Sequence, residues 1–221
     1  TMCYGDWAAD DAETYRERTI QIFDNPEMTA FSAWAFGLMR GVDYLEQMDS
    51  VDMNAIASVG HSRLARVSLW AGANDPRISL VTASCGGGYL RSPLAARITT
   101  KGTSNHWFTS EYFSFEGRDA ELPVDIHMLY ALVADRHLYI SMGRSALASD
   151  PIATYDALQN AKAVWRDIYG IEVIPDGTYE DLKLDEPVFS EGIAVHLHQE
   201  GHEINNADWA YYMAYMAEYL Q

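Results

Sequence analysis

One stretch of the chain decides the fold class: residues 55–66 read AIASVGHSRLAR. Its first half is a short apolar run of the kind that forms a buried parallel strand, and its second half opens a helix that is predicted to run to Ala73. Ser62 lies at the junction. A sharp strand-to-helix turn that carries a serine is the setting of a nucleophile elbow, which projects the hydroxyl above the sheet. The stretch therefore predicts an α/β fold with a serine presented at the carboxyl end of a strand.

The residues on both sides of this stretch continue the alternation of strands and helices. Predicted strands cover residues 2–5, 55–60, 78–82, 137–142 and 192–198, and predicted helices cover residues 28–49, 64–73, 124–134, 151–169 and 207–220. That order implies a mostly parallel sheet with helices on both faces. Residues 84–122 are rich in glycine and then in aromatic residues, which indicates an irregular excursion. We expect a single domain over residues 1–221, because no linker or repeat interrupts the pattern.

The composition excludes several classes of function. Apolar residues make up 48% of the 221 residues, which is enough for one substantial core. The formal net charge of −17 repels nucleic-acid phosphates and anionic membrane surfaces, so neither is an expected partner. No apolar run reaches about 18 residues, and the first residues lack a basic and then apolar pattern. The sequence therefore predicts no membrane span and shows no signal peptide.

The sequence also predicts no metal site and no cofactor. Neither a C-x-x-C pair nor an H-E-x-x-H pair occurs. His196 and His198 alternate along the last predicted strand, so both face one side of the sheet. We expect neighbouring protein groups to hold these two rings. Histidines inside a strand are held in this way more often than they bind a shared ligand.

A nucleophilic serine needs a base and a group that orients the base. His202 lies between the last predicted strand and the last predicted helix, where an α/β-hydrolase carries its base. Asp150 is the one acid in the loop that follows the strand at residues 137–142, which makes it the candidate orienting carboxylate. Ser62 and Asp150 each have a structural alternative, because each stands where the N-cap of the following helix is expected.

Several short motifs follow one another in a distinctive order. They are Ser62-Arg63 with Arg66, LWAGA at 69–73, DPR at 75–77, SCGGG at 84–88, HWF at 106–108, LPVDIH at 122–127, Asp150-Pro151, EGH at 200–202 and Asp208-Trp209. Together they resemble the glucuronoyl esterases, carbohydrate esterase family 15, over nearly the whole chain. Several motifs in one order are far more specific than any one of them.

The resemblance implies an α/β-hydrolase fold and a serine esterase. The family cleaves esters between 4-O-methyl-glucuronic acid on xylan and lignin alcohols, and its members are expected outside the cell or in the periplasm. Carried over by position, Ser62 is the nucleophile and His202 the general base. Arg63 binds the oxyanion through its backbone and guanidinium, Arg66 stands where the family has a sugar-binding lysine, and Trp107 flanks the sugar.

Two departures from the family pattern bear on activity. No carboxylate occurs at residues 83–86 or 143–146, where the family places its acid, and Asp150 matches a later aspartate. The strands and the oxyanion loop that open the fold have no counterpart before the strand predicted at 2–5, so the domain is expected to be partial. An incomplete sheet exposes the strand predicted at 2–5 as an unpaired edge. We therefore expect association with a partner chain or a second copy through that edge.

Three functions remain open at the level of sequence. The first is a glucuronoyl-esterase-like hydrolase that acts through an acyl intermediate on Ser62. The second is a catalytically impaired hydrolase remnant that binds carbohydrate or another protein, which the missing acid and the aromatic residues at 107–115 favour. The third is a broad or acetyl esterase, because an elbow does not define the acyl group.

Overall fold

The computed structural model describes residues 24–86 except Pro26, together with residues 88, 90 and 106–220. The helices are α1 (Ala30–Leu45), α2 (Arg63–Asn74), α3 (Ser110–Phe113), α4 (Ile126–Ala131), α5 (Pro151–Ala161) and α6 (Asn206–Tyr219). The strands are β1 (Ala57–His61), β2 (Leu80–Ser84), β3 (His137–Gly143), β4 (Val188–Phe189) and β5 (Ile193–His198). Short 3-10 turns cover Met53–Ala55, Asp119–Glu121, Leu147–Ser149 and Tyr179–Asp181. The strand predicted at 2–5 lies outside the described residues.

The strands form one sheet in the order β1-β2-β3-β5-β4. The first four strands of that order are parallel, and β4 alone runs antiparallel, beside β5. The predicted α/β fold with a mostly parallel sheet is therefore confirmed. The sequence did not predict β4, because two residues are too short to show an alternating pattern.

Helices cover both faces of this sheet, as expected. Side chains alternate between the faces along each strand. Tyr139 of β3 is fully buried against Tyr212 and Tyr215 of α6. Its neighbours Leu138 and Ile140 face the opposite side, where they join the larger core formed with α1, α2, α4 and α5. None of the helices that the structure describes has the length and apolar character of a membrane span.

Most helix boundaries lie within a few residues of the predicted ones, with one local difference. The helix predicted at 151–169 consists of α5 followed by a π-helical turn at Trp165–Tyr169. Gly170 ends that turn with a left-handed φ of 70°, a conformation that glycine adopts without strain. At the other end, Pro151 occupies the first turn of α5, where its missing N–H costs no hydrogen bond.

Candidate active site

Ser62 lies at the tip of a tight turn between β1 and α2. Its φ of 58° and ψ of −128° are rare for a residue other than glycine and indicate local backbone strain. The backbone N–H of Ser62 donates to the carbonyl of Ser84 on β2 (2.8 Å), which fixes the turn to the next strand. A Cβ at Gly60 would collide with the Leu64 carbonyl, and one at Gly86 with the Ser62 carbonyl, so both glycines are required by close approach.

The hydroxyl of Ser62 faces a histidine and does not cap α2. The structure gives Ser62 no side-chain hydrogen bond to the first turn of the helix. His202, in the loop between β5 and α6, instead places its Nε2 2.7 Å from Ser62 Oγ. The two residues lie 140 positions apart in the chain and meet only because parallel strands end at the same edge of the sheet. The geometry is that of a nucleophile and its base.

His61 holds the main chain of His202 in place. Its Nε2 lies 2.7 Å from the carbonyl oxygen of His202, and its Nδ1 lies 3.1 Å from the Ser84 hydroxyl. A carbonyl can only accept, so Nε2 of His61 donates to it. The two imidazole rings are 5.0 Å apart between centres. No role for His61 is predicted from the sequence, although His61 lies inside the elbow motif.

The surroundings of His202 favour its neutral form. Burial lowers the pKa of its imidazole, the nearby His61 ring lowers the pKa further, and Glu203 opposes both effects. A neutral imidazole has one nitrogen that can accept a proton. His202 is therefore in the form that a general base requires at neutral pH.

The other ring nitrogen of His202 contacts a serine. Ser149, the last residue of the 3-10 turn after β3, places its Oγ 3.0 Å from His202 Nδ1. Asp150 follows it with a left-handed φ of 47°, and its carboxylate accepts from the N–H of Ala153 (3.1 Å) and caps α5. The orienting role assigned to Asp150 stays a prediction. No sequence motif marks Ser149, so sequence reasoning missed it.

The two predicted arginines and Trp107 lie beside the elbow. Arg63 is the first residue of α2, so its backbone N–H lies at the positive end of the helix dipole. Its guanidinium carbon is 5.9 Å from the ring centre of Trp107. Arg66 donates from Nε to the Gly86 carbonyl (3.2 Å) and lies over the ring of Phe108. The structure thus brings Arg63 and Trp107 together and places Arg66 one helical turn further along α2.

A buried carboxylate joins two histidines behind the site. Oδ1 of Asp208, on α6, lies 2.7 Å from Nε2 of His196 and 2.8 Å from Nδ1 of His198, and all three side chains are buried. The other nitrogen of His198 lies 3.2 Å from the carbonyl oxygen of Gly201. Both nitrogens of His198 therefore face acceptors, so both must donate and the ring is cationic. His198 anchors the residue that precedes His202.

Hydrogen bonding stabilises this buried ion pair. The hydrogen bond to Asp208, with a further contact to Cys85, raises the pKa of His198 to about 10, against the effect of burial. Burial alone would raise the pKa of Asp208, but the hydrogen bonds from His196, His198 and the backbone of Asn205 outweigh it and lower that pKa. Burial lowers the pKa of His196, which is thus the neutral ring.

Within the described part of the chain, the donor atoms of these three side chains lie close enough together to hold a metal ion. These atoms lie within 4.8 Å of one another. Each of them is already engaged in the hydrogen bonds above, and Nδ1 of His196 lies 2.8 Å from the hydroxyl of Tyr139. The prediction that His196 and His198 are held by neighbouring protein groups agrees with this arrangement.

The chain is similar in sequence to known proteins of one family. A family model described as "Glucuronyl esterase, fungi" matches residues 4–169. The chain belongs to the glucuronoyl esterase family. Among curated relatives, the chain is 32% identical over 213 residues to carbohydrate esterase MZ0003 of an unknown prokaryotic organism. It is also 32% identical over 151 residues to 4-O-methyl-glucuronoyl methylesterase 1 of Phanerochaete chrysosporium.

Solved glucuronoyl esterase structures share the fold. The enzyme from Solibacter usitatus matches 86% of this chain with a TM-score of 0.78 and 32% identity. A promiscuous family 15 esterase from a marine bacterial metagenome matches 99% of this chain with a TM-score of 0.80 and 29% identity. The chain spans about half the length of three of these relatives (48% of MZ0003, 48% of the Solibacter chain and 54% of the metagenome chain) and 32% of the Phanerochaete enzyme.

Proposed function

We propose that this chain carries the nucleophile and base of a serine esterase that hydrolyses esters of glucuronic acid, including 4-O-methyl-glucuronate esters between xylan and lignin. One observation carries the proposal: Ser62 Oγ and His202 Nε2 lie 2.7 Å apart at a strained strand-to-helix turn. Backbone strain of this kind persists where the surrounding structure requires it, and it clusters at functional sites. The names of the relatives, glucuronoyl esterase and 4-O-methyl-glucuronoyl methylesterase, favour the glucuronate acyl group.

The proposed reaction has two symmetrical steps. His202 Nε2 takes the proton of Ser62 Oγ as the oxygen attacks the ester carbonyl, and the resulting oxyanion is stabilised by the backbone N–H of Arg63 and the N-terminus of α2. His202 then gives the proton to the departing alcohol, which leaves a glucuronoyl ester on Ser62. Water then attacks the acyl group while His202 accepts a proton from it. Ser62 recovers that proton from His202 as glucuronic acid leaves.

Three neighbouring residues supply the proposed substrate contacts. In a chain with a net charge of −17, Arg63 and Arg66 form a local cationic spot beside Ser62. Such a spot suits the carboxylate product and the polar sugar ring. Trp107, which packs on Phe31 with ring centres 5.4 Å apart, offers an aromatic surface against which a sugar face packs. Arg66 in place of lysine keeps the charge and presents it as a planar group.

The test compares three ester classes and one covalent probe. We expect the protein to hydrolyse the benzyl ester of glucuronic acid faster than the benzyl ester of galacturonic acid or an acetylated xylose, as followed by chromatography of the released acid. We also expect a serine-reactive phosphonate to label Ser62, as located by peptide mass spectrometry. Preferred hydrolysis of the acetyl ester would indicate an acetyl esterase. Sugar binding without labelling or turnover would indicate a non-catalytic carbohydrate-binding module.

We further propose that the chain associates with a partner chain or a second copy through the strand edge predicted at residues 2–5, which lies outside the described residues. Within the described residues, β1 is an end strand that pairs with β2 on one side. Beside it lies an apolar hollow of about 360 Å³ whose lining includes Trp34, Leu38, Val59 and Leu64. Unpaired strand edges next to apolar surface promote pairing.

Light scattering coupled to gel filtration tests this association. We expect a molar mass above that of one chain, and one that falls with dilution if the partner is a second copy. A single stable monomer across the concentration series would contradict the proposal. A single domain over residues 1–221 and a location outside the cell or in the periplasm also stay proposals, which rest on the resemblance to the family.

A further inference from the structure

We infer that Ser149 is the positioning residue that orients His202, in the place that a carboxylate takes in a Ser-His-acid triad. The inference deepens the proposed function and rests on it for its catalytic meaning. It begins from one contact: Ser149 Oγ lies 3.0 Å from His202 Nδ1, on the side of the ring away from Ser62.

Proton counting decides the direction of that contact. Ser149 has one hydroxyl proton, and its Oγ also lies 2.7 Å from the carbonyl oxygen of Cys85. A carbonyl accepts and never donates, so the hydroxyl proton points to Cys85. Ser149 Oγ must then accept from His202, and Nδ1 of His202 carries the ring proton. The unprotonated Nε2 is left facing the Ser62 hydroxyl, which is the tautomer that a general base needs.

The sheet positions both hydrogen-bond partners of the Ser149 hydroxyl, which are the Cys85 carbonyl and the His202 ring. Cys85 directly follows β2, and its backbone N–H donates to the Ser141 carbonyl on β3 (2.9 Å). The carbonyl of Ser149 accepts from the Thr154 hydroxyl in α5 (3.3 Å). The main chain of His202 is fixed by His61 through its carbonyl. Ser149 therefore meets a ring whose backbone is already positioned, and the hydroxyl decides only the tautomer and the tilt of that ring.

A hydroxyl orients the ring but supplies no charge. In a triad, the carboxylate also stabilises the imidazolium that forms when the nucleophile loses its proton. The charged or titratable groups that act on His202 are His61 on the elbow and Glu203 in the same loop, and the effect of His61 together with burial prevails. The site therefore combines a correctly oriented base with weak stabilisation of its protonated form, which implies slow turnover.

The test reads the tautomer directly from the ¹⁵N-labelled chain of 221 residues. Long-range ¹H–¹⁵N spectra distinguish a protonated Nδ1 from a protonated Nε2, and the signals of His202 are identified by their loss in His202→Gln. We expect Nδ1–H with a bare Nε2 at neutral pH. We expect Ser149→Ala to lose this single state and Ser149→Thr to restore it. Asp150→Asn tests the competing prediction that Asp150 orients His202: the variant keeps the cap of α5, and the spectrum is expected to stay unchanged if Ser149 orients the ring.

Several results would overturn the inference. A wild-type ring protonated on Nε2 would do so without any variant, as would an Nδ1–H signal that survives in Ser149→Ala or is lost in Asp150→Asn. Ser149→Asp provides a second measurement: a carboxylate at this position is expected to raise the pKa of His202 by about one unit or more. An unchanged pKa would show that position 149 does not face Nδ1. None of these readouts requires turnover, so an inactive protein with the expected spectra would contradict the proposed function and leave the orientation standing.

Discussion

Ser62→Ala is expected to reduce the hydrolysis of a glucuronate ester to the uncatalysed background, a loss on the order of 10³-fold or more in kcat. The variant removes the oxygen that is proposed to form the acyl intermediate, and Nε2 of His202 loses its contact to that oxygen. The fold should be retained, because Ser62 is fixed to β2 through its backbone N–H and not through its side chain. Initial rates over a range of substrate concentrations measure the loss.

A second serine provides the control for that loss. Ser114 is exposed, and its hydroxyl donates to the carbonyl of Glu111 within the same short helical turn, far along the chain from the elbow. Ser114→Ala is expected to keep wild-type kcat and melting temperature. Ser62→Ala with unchanged kcat would exclude Ser62 as the nucleophile and with it the proposed mechanism. Loss of turnover together with a lowered melting temperature would instead indicate that the strained turn had collapsed.

Asp208→Asn is expected to lower the free energy of unfolding by about 3–5 kcal/mol, since it leaves a buried imidazolium without its counter-ion. Asp208 accepts from His196, His198 and the backbone N–H of Asn205, so the variant disturbs three buried or partly buried hydrogen bonds. Urea unfolding at pH 6, followed by tryptophan fluorescence, measures the effect. Asp167→Asn is the matched control, because that carboxylate is exposed and pairs with the neighbouring Arg166; no measurable change is expected.

The ion pair also predicts how stability depends on pH. His198 has a raised pKa of about 10 against 6.5 for an ordinary histidine, so its contribution is complete below pH 6.5 and is lost as the pH rises towards 10. Asp208 has a lowered pKa, so its contribution is complete above the ordinary value near 3.8 and is lost as the pH falls below it. The difference between wild type and Asp208→Asn should therefore be largest between about pH 4 and 6.5 and shrink towards pH 10. A difference that stays constant from pH 6 to pH 10 would contradict a cationic His198.

The fold class and the position of the elbow can be predicted from local patterns in the chain. Apolar runs such as residues 78–82 and 137–142 carry the period and length of buried strands, and the order of strands and helices leaves a parallel sheet as the consistent arrangement. Ser62 and His202 were identified because each follows a strand at the edge where parallel strands end. Local patterns of this kind depend on neighbours in the chain, and such patterns can be recognised in one sequence.

The groups that contact the base depend on the packing of distant elements. Ser149 and Asp150 are adjacent, and both stand in the loop after β3, so the pattern of residue types favoured the acid. The left-handed backbone at Asp150 turns its carboxylate into the first turn of α5 and leaves the Ser149 hydroxyl against His202. Likewise, Asp208 is 10 to 12 residues from its two histidines, and no period relates a helix to the strand it covers. Such contacts depend on how helices and loops pack against the sheet. The partners are too far apart in the chain for a local sequence pattern to reveal them.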